Sequence, residues 1–256
     1  MSRHVSRHVS ARSPGSVDPL PLDPADATQG LWAWASIPAA TPRRDVARVL
    51  VRSLVDIIAP GCDIALSNPC PRCGGPHGPV VVTGAPVVAS VAYATRRGAS
   101  PTKSTIAVAA AARESPAASG PAESGPTDAI GIDAEFVDDP VRDGIGLAGV
   151  LAEGASIRDW VRVEAALKAD GRGLRAAPES VEVRPREGGW VATVAGSAHV
   201  LHGRDLSGPS KLIVSVARRL TRQGVTPPGS PPAAPTTPAA VPHPTTRGTG
   251  HPGHER

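Results

Sequence analysis

The chain has 256 residues, of which 29 are proline and 27 are glycine, and its formal net charge is +4. Only 2% of the residues are aromatic, so a core must be built mainly from Val, Ile, Leu and Ala. The prolines concentrate at the two ends of the chain, so we do not expect the full length to fold as one compact domain. The small positive excess is compatible with an anionic ligand, but it does not by itself indicate a protein that binds polyanions.

Several classes of protein are not expected from the sequence. It contains no run of about 18 apolar residues, so we expect no helix that crosses a membrane. The N-terminal segment lacks the apolar stretch of a signal peptide, and three cysteines in a chain without an export signal argue against a disulfide framework. A cytoplasmic protein is therefore expected.

Proline, serine, threonine and glycine dominate the two ends of the chain. Residues 1–28 and 226–256 lack hydrophobic periodicity and are predicted to be disordered tails. Residues 114–128 are low in complexity and are predicted to be a flexible insertion or linker. These boundaries leave an N-terminal half at residues 29–113 and a C-terminal half at residues 129–225.

The N-terminal half is predicted to begin with an amphipathic helix from Arg43. Its apolar positions recur at steps of three and four and are Val46, Val49, Leu50, Leu54, Ile57 and Ile58. A second, mostly basic face has charged residues at steps of four, namely Arg44, Arg48, Arg52 and Asp56. Three short strands separated by turn residues are predicted to follow, at residues 79–84, 86–94 and 104–112.

The C-terminal half is predicted to begin with a strand at AIGIDAEF, residues 129–136. A helix is predicted from Asp159 to about Ala169, ended by Gly171. Three more strands are predicted after the helix, at residues 180–184, 190–196 and 211–219. Each half therefore offers a helix and several strands, which predicts an α+β fold built from two similar halves.

Two carboxylates lie close together on the strand that opens the C-terminal half. Because residues two apart on a strand point to the same face, Asp133 and Glu135 are expected to project together. Such a pair of carboxylates suits a hard divalent cation such as Mg²⁺, which commonly takes further ligands from a phosphate. A strand edge that faces solvent is the alternative interpretation.

The helix predicted after this strand carries a second charged pair. Glu164 and Lys168 are four residues apart and share a face of the helix. A surface ion pair is the ordinary explanation of that spacing. A functional role requires that this face meet Asp133 and Glu135, which would bring three carboxylates and an ammonium group to one point.

A cysteine pair in the N-terminal half raises the question of a metal. Cys70 and Cys73 are followed by His77, and Cys62 precedes them. This spacing resembles part of a zinc site, but a second pair at the usual separation is missing. A tight Gly-Gly-Pro turn that leads into the next strand is the favoured interpretation.

The order of these segments carries a resemblance. An Arg-bearing helix VLVRSLV, a CGGPHG turn, a strand that contains Ser90, the GIDAE strand and the helix WVRVEAALKADGRGL follow one another. This order resembles the surfactin-type 4'-phosphopantetheinyl transferases over about residues 43–220. The last two segments are specific for this family when they occur together in this order. The resemblance implies a monomer with a pseudo-twofold pair of α+β halves and a nucleotide in the cleft between them.

The resemblance also implies an activity and a set of site residues. The family moves the phosphopantetheine arm of coenzyme A to a serine of an apo acyl or peptidyl carrier protein and releases 3',5'-ADP. By position, the Mg²⁺ ligands would be Asp133, Glu135 and Glu164, and the catalytic residues would be Glu164 and Lys168. The positions that correspond to coenzyme A contacts are Arg52, Gly75, His77, Gly78, Ser90, Tyr93 and Lys168. Neither nucleic acid nor a membrane is an expected partner.

Three departures from the family pattern each remove a possible cation from the pocket. Val163 stands where the family has a lysine before the catalytic glutamate, and Arg162 is turned about 100° around the helix from that position. Tyr93 replaces a histidine, and Pro79 replaces a lysine. Two alternatives therefore stay open. One is an inactive relative that binds coenzyme A or a carrier protein, and the other is a module that binds zinc or nucleic acid.

Overall fold

The computed structural model describes residues 18–23, 26–96, 104–114, 128–138, 147 and 149–219. The strands of this part of the chain are β1 (Leu20–Asp23), β2 (Asp26–Ile37), β3 (Ala65–Ser67), β4 (Val81–Thr83), β5 (Val87–Arg96), β6 (Ser104–Arg113), β7 (Ala129–Phe136), β8 (Val181–Arg186), β9 (Gly189–Val194), β10 (Val200–Leu206) and β11 (Leu212–Arg219). Helix α1 (Arg43–Ile58) lies between β2 and β3, and helix α2 (Ile157–Asp170) lies between β7 and β8. The fold class is therefore α+β, as predicted.

Two antiparallel sheets form the framework. The first has the strand order β1-β2-β6-β5 and the second has the order β7-β11-β10-β9-β8, while β3 and β4 form a separate two-stranded ribbon. Helix α1 packs on β6 and β2, and helix α2 packs on β7 and β11. The register of the second sheet places Ser215 opposite Asp133 and Ile213 opposite Glu135.

The main core lies where the two sheets meet. Apolar side chains from both sheets form one buried cluster that includes Trp32, Val108, Ile132, Phe136 and Val214. Hydrogen bonds also cross from sheet to sheet. The backbone N–H of Ile132 on β7 donates to Ser90 Oγ on β5 at 3.1 Å, and the Arg204 guanidinium on β10 donates to the backbone oxygen of Leu22 on β1 at 3.4 Å. The sheets are therefore held together by packing and by polar contacts, one of them beside the GIDAE segment.

Strand β6 shows how a chain with few aromatic residues builds these layers. Its Val108, Ala110 and Ala112 face the second sheet, while Ala107 and Ala109 face helix α1. Both faces of the strand are covered, so its sequence is continuously apolar rather than alternating. The small alanine side chains let neighbouring layers approach closely.

The buried face of α1 differs from the predicted one. Val49 and Ile57 are 56% and 55% exposed. The residues of the helix that are buried against the first sheet are Ala47, Leu50, Val51, Leu54 and Val55. These five follow the three-four spacing of a single stripe, whereas the predicted set spread over a wider arc than one sheet can cover.

Helix α2 has defined ends. The Ser156 hydroxyl accepts from the backbone N–H of Asp159 at 3.2 Å, and the Asp159 carboxylate accepts from the backbone N–H of Ser156 at 2.9 Å. This capping box starts the helix at Ile157, two residues before the predicted start. Gly171 ends it with φ of 89°, as the sequence predicted. Neither described helix is long and apolar enough to cross a membrane.

The predicted strands are confirmed, but the N-terminal tail is shorter than predicted. Residues 20–23 form β1, which pairs with the start of β2 at Asp26. Pro21 is tolerated there because β1 is an edge strand, where one side of the backbone needs no partner. Residues 1–17, 24–25 and 226–256 of the predicted tails, and residues 115–127 of the predicted insertion, lie outside the described part of the chain.

Candidate functional site

A cavity of about 800 Å³ is lined by β5, β7, α2 and the loop that precedes β4. Eight of the ten site residues predicted from the sequence line it. They are His77, Gly78, Ser90, Tyr93, Asp133, Glu135, Glu164 and Lys168. The face of α2 that carries Glu164 and Lys168 therefore does meet the acidic face of β7, which was the condition for a functional role.

Lys168 makes the central contact of the cavity. Its Nζ lies 2.7 Å from Asp133 Oδ1 and donates to the backbone oxygen of Ile132 at 3.0 Å. The side chain of Asp133 is only 10% exposed and that of Lys168 is 28% exposed, so the pair is shielded from solvent. Such a pair is stronger than the surface ion pair suggested by the helical spacing.

Gly131 explains how α2 comes so close to β7. A Cβ atom at this position would lie 2.1 Å from the backbone oxygen of Ala165 and 2.6 Å from the backbone nitrogen of Ala169. Only a residue without a side chain lets the helix backbone rest directly on the strand. The glycine of GIDAE is thus the residue that brings Glu164 and Lys168 within reach of the acidic pair.

The three carboxylates offer the oxygen donors that Mg²⁺ prefers. Asp133, Glu135 and Glu164 border one cavity, and two of them come from the same face of β7. In this structure the Lys168 ammonium supplies the positive charge beside Asp133. The type of donor therefore fits a hard divalent cation, but in this structure the three carboxylates do not lie close enough together to hold one ion, so binding would require their side chains to move closer.

Arg52 lies outside the cavity. Its guanidinium does not line the cavity but donates to the backbone oxygen of Ile64 at 3.4 Å. Arg43, at the first turn of the same helix, does line it. At a rise of about 1.5 Å per residue, Arg52 lies about 13 Å beyond Arg43 along the helix axis.

Gly75 also lies outside the cavity lining. Its backbone oxygen accepts from the N–H groups of Cys70 and His77, at 2.8 and 2.9 Å. Gly75 therefore shapes the turn that presents His77 and Gly78, rather than bordering the cavity itself.

Three arginines of α1 mark a smaller pocket of about 200 Å³ that shares His77, Gly78 and Tyr93 with the cavity. They are Arg43, Arg44 and Arg48. Sequence reasoning grouped two of them with Arg52 on the basic face, but the periodicity alone does not show which turn of the helix reaches the site. The pocket is suited to an anion.

Tyr93 lies between this pocket and the cavity. The Arg43 guanidinium lies 4.8 Å from the centre of the Tyr93 ring, which is a cation–π contact. Burial raises the pKa of Tyr93, and the charges of Arg43, Arg44 and Arg48 oppose that rise. The phenol is therefore neutral at physiological pH and can donate a hydrogen bond.

Several arginines that were not among the predicted site residues also line the cavity. Arg43, Arg72, Arg172 and Arg175 line the cavity together with Lys168. Arg172 is tied to Asp170 at 2.5 Å, and Arg175 donates to the backbone oxygens of Gly171 and Arg172, each at 2.9 Å. The cavity therefore combines an acidic centre with arginines around it.

Arg162 does not contribute to this set. Val163 is buried in the core beneath α2, and Arg162 points away from the cavity toward Asp205 on β10, at 2.8 Å. Burial raises the pKa of Asp205, but hydrogen bonds from Arg162, Ser215 and Arg158 outweigh it and lower the value to about 2. The rotation expected from the helical geometry is confirmed.

Comparison of the chain with known protein families gives no match, and comparison with curated proteins gives none either. The cavity and the order of its motifs are therefore the basis for a functional interpretation.

Proposed function

We propose that this chain transfers the 4'-phosphopantetheine group of coenzyme A to a serine hydroxyl of an apo acyl or peptidyl carrier protein and releases 3',5'-ADP. The observation that carries the proposal is the convergence of Asp133, Glu135, Glu164 and Lys168 in one cavity. These residues come from the two segments on which the resemblance depends. A cavity of about 800 Å³ also falls in the size range of small-molecule sites.

The architecture supports the same proposal. Each sheet carries one helix, and the cavity is lined by β5 of the first sheet and by β7 of the second. We propose that these are the two pseudo-twofold halves of the transferase fold, with coenzyme A bound between them. Because one chain supplies both walls, the enzyme would act as a monomer.

Asp133, Glu135 and Glu164 would hold Mg²⁺. When bound, the ion would neutralise negative charge on the pyrophosphate of coenzyme A. Lys168 would add a second positive charge on the same side of the cavity. Its contact with Asp133 keeps the ammonium aimed into the cavity rather than into solvent.

Glu164 is the residue best placed to accept the proton of the carrier serine. The serine oxygen would form a bond to the phosphorus next to pantetheine. The bond from that phosphorus to the bridging pyrophosphate oxygen would break, and 3',5'-ADP would leave with the electron pair. The nucleophile belongs to the partner, so the site needs no serine, histidine and aspartate triad of its own.

The arginine pocket of α1 would bind the 3'-phosphate end of coenzyme A. Arg43, Arg44 and Arg48 surround it, and it opens beside His77 and Tyr93 of the main cavity. Several guanidinium groups can bind one phosphate by charge-assisted hydrogen bonds. The resemblance had implied that Arg52 contacts the 3'-phosphate, and we propose these three arginines for that role instead.

A transfer assay tests the proposal. The protein would be mixed with Mg²⁺, coenzyme A and a panel of apo acyl and peptidyl carrier proteins, and the carriers would be weighed by mass spectrometry. We expect one phosphopantetheine group on at least one carrier and none when EDTA is present. Binding of coenzyme A without modification of any carrier would instead identify an inactive relative.

A further inference from the structure

A second group of reactive side chains lies in the loop between β3 and β4. The ligand atoms of Cys70, Cys73 and His77 all lie within 4.8 Å of one another, and Cys73 Sγ is 3.4 Å from His77 Nε2. Among the described residues, these three are the group of His, Cys, Asp or Glu close enough to hold one ion. Cys62 is not part of it, because it packs against the core beneath α1.

The backbone of the loop is arranged around the Cys70 sulfur. The N–H groups of Arg72 and Cys73 both donate to it. The N–H of Gly74 donates to the backbone oxygen of Cys70 at 2.8 Å, and Gly74 has φ of 70°, which closes the turn. Hydrogen bonds from backbone N–H groups stabilise a thiolate, which is the form of cysteine that binds a metal.

The two ends of the loop are also joined. The N–H of Gly78 donates to the backbone oxygen of Asn68 at 2.8 Å, and the Asn68 side-chain amide donates to the backbone oxygen of Gly78 at 3.4 Å. A side chain at position 78 could not be accommodated, because its Cβ would lie 2.0 Å from the backbone oxygen of Pro69. The geometry that gathers the three ligands is therefore built into the loop.

We propose that Cys70, Cys73 and His77 bind one Zn²⁺, with a fourth position left to water or to an external ligand. Two thiolates and one imidazole are the soft and borderline donors that select zinc over Mg²⁺. Binding would release the protons of the two thiols. The sequence named the same three residues but favoured a turn because a second cysteine pair is missing, and the structure adds that their ligand atoms lie within 4.8 Å of one another.

The site would fix one wall of the main cavity. Cys70 and His77 both line that cavity, and Pro71, Arg72 and Gly78 of the same loop line it with them. An ion that links the start of the loop to its end would hold these residues in place. The proposed ion would order this loop, and its binding can be measured without the transfer reaction.

Metal analysis of the full chain tests this assignment. The protein would be purified with reducing agent and without a metal-affinity column, supplied with Zn²⁺, desalted and analysed for bound zinc. We expect about one zinc per chain. Cys73→Ser and Cys70→Ser should each lose most of the zinc, while the matched control Cys62→Ser should keep it. A zinc-free reduced protein, or equal binding by Cys73→Ser, would overturn the proposal.

Replacement of zinc by Co²⁺ identifies the ligands directly. We expect the intense ultraviolet absorption of thiolate bound to Co²⁺ in the wild type and in Cys62→Ser, and its loss in Cys73→Ser. Histidines elsewhere in the chain cannot produce that signal. Co²⁺ binding without thiolate absorption, or a Cys70–Cys73 disulfide found by mass spectrometry in the reduced protein, would contradict the assignment.

Limited proteolysis tests the effect on the loop without any substitution. Trypsin can cut after Arg72, which is exposed between the two cysteines. Removal of zinc with a chelator should make this cut at least several times faster, and added Zn²⁺ should restore protection. Equal rates with and without zinc would show that the ion does not order the loop. None of these readouts depends on carrier protein or coenzyme A.

Discussion

The ammonium nitrogen of Lys168 lies 2.7 Å from Oδ1 of Asp133, a contact that joins helix α2 to strand β7 across 35 positions of the chain. Both side chains are largely shielded from solvent. In the proposed mechanism Asp133 binds Mg²⁺ and Lys168 faces the phosphates. The ion pair therefore connects a proposed Mg²⁺ ligand with the residue proposed to bind the phosphates of coenzyme A.

Loss of Lys168 should make the protein depend on divalent cations. Lys168→Met leaves the shielded Asp133 carboxylate without this counter-charge, which should lower the free energy of unfolding by about 1–3 kcal/mol in EDTA. Because Mg²⁺ would bind the same carboxylate more tightly, it should raise the melting temperature of the variant more than that of the wild type. Thermal unfolding with and without Mg²⁺ measures both effects.

Lys211→Met is the matched control for this experiment. Lys211 pairs with the more exposed Asp138 at 3.4 Å, outside the cavity lining. Its loss should leave the response to Mg²⁺ as in the wild type. An equal response of Lys168→Met and the wild type would contradict the placement of the cation at Asp133.

Arg43 and Arg52 of helix α1 distinguish two assignments of the phosphate contact, one from the structure and one from the resemblance. Arg43→Gln should weaken coenzyme A binding about tenfold, because a charge-assisted hydrogen bond to phosphate contributes about 1.5–3 kcal/mol. Arg52→Gln should change it less than about twofold, because Arg52 lies outside both pockets. Isothermal titration with coenzyme A measures the two affinities. If Arg52→Gln lowers the affinity for coenzyme A strongly and Arg43→Gln does not, the phosphate is bound by Arg52, as the resemblance implies, and the assignment to Arg43 is wrong.

Gly131, the glycine of the GIDAE segment, should not tolerate substitution. Gly131→Ala would force its Cβ against the backbone of α2, so we expect the free energy of unfolding to fall by about 3 kcal/mol and turnover to fall with it. Gly61→Ala is the control, since it has φ of 78° but open space around it and should cost about 1 kcal/mol. Denaturant unfolding measures both, and a smaller loss at Gly131 than at Gly61 would refute the close packing.

Acid should remove the stabilisation that Asp205 provides. Its folded pKa of about 2 lies below the ordinary value of 3.8, so the ionised carboxylate stabilises the folded state above about pH 4. That contribution is lost as the pH falls from about 4 to 2. The difference in unfolding free energy between the wild type and Asp205→Asn should therefore be constant near neutral pH and shrink in this window. A difference that grows on acidification would contradict the contact with Arg162.

The sequence predicted those parts of the site that depend on local periodicity. Alternation along β7 put Asp133 and Glu135 on one face, and the four-residue spacing put Glu164 and Lys168 on another. Whether the two faces meet depends on how α2 packs on Gly131. The local sequence pattern does not predict that packing. The resemblance supplied that expectation, and the structure places all four residues around one cavity.

Other features could not be predicted because tertiary contacts determine them. Strand β10 is rich in polar residues and is ordered by its pairing with β9 and β11, so it lacks a strand signal of its own. Helical periodicity identified the basic face of α1 but not which turn reaches the cavity, and the resemblance pointed to Arg52, whereas the structure places Arg43 at the cavity. Cys70, Cys73 and His77 were recognised in the sequence as part of a possible zinc site, but a turn was favoured because the spacing alone does not show that the loop brings their ligand atoms together.

The most direct test of the account compares Asp133→Ala with its control Asp63→Ala in the transfer assay. Asp63 is exposed and lies outside the cavity lining, so its replacement removes a carboxylate without touching the proposed site. With Mg²⁺, coenzyme A and an apo carrier, mass spectrometry should show the phosphopantetheine group added by the wild type and by Asp63→Ala. A folded Asp133→Ala, checked by circular dichroism, should add it at least about a hundredfold more slowly. Transfer by Asp133→Ala at the wild-type rate would contradict the account.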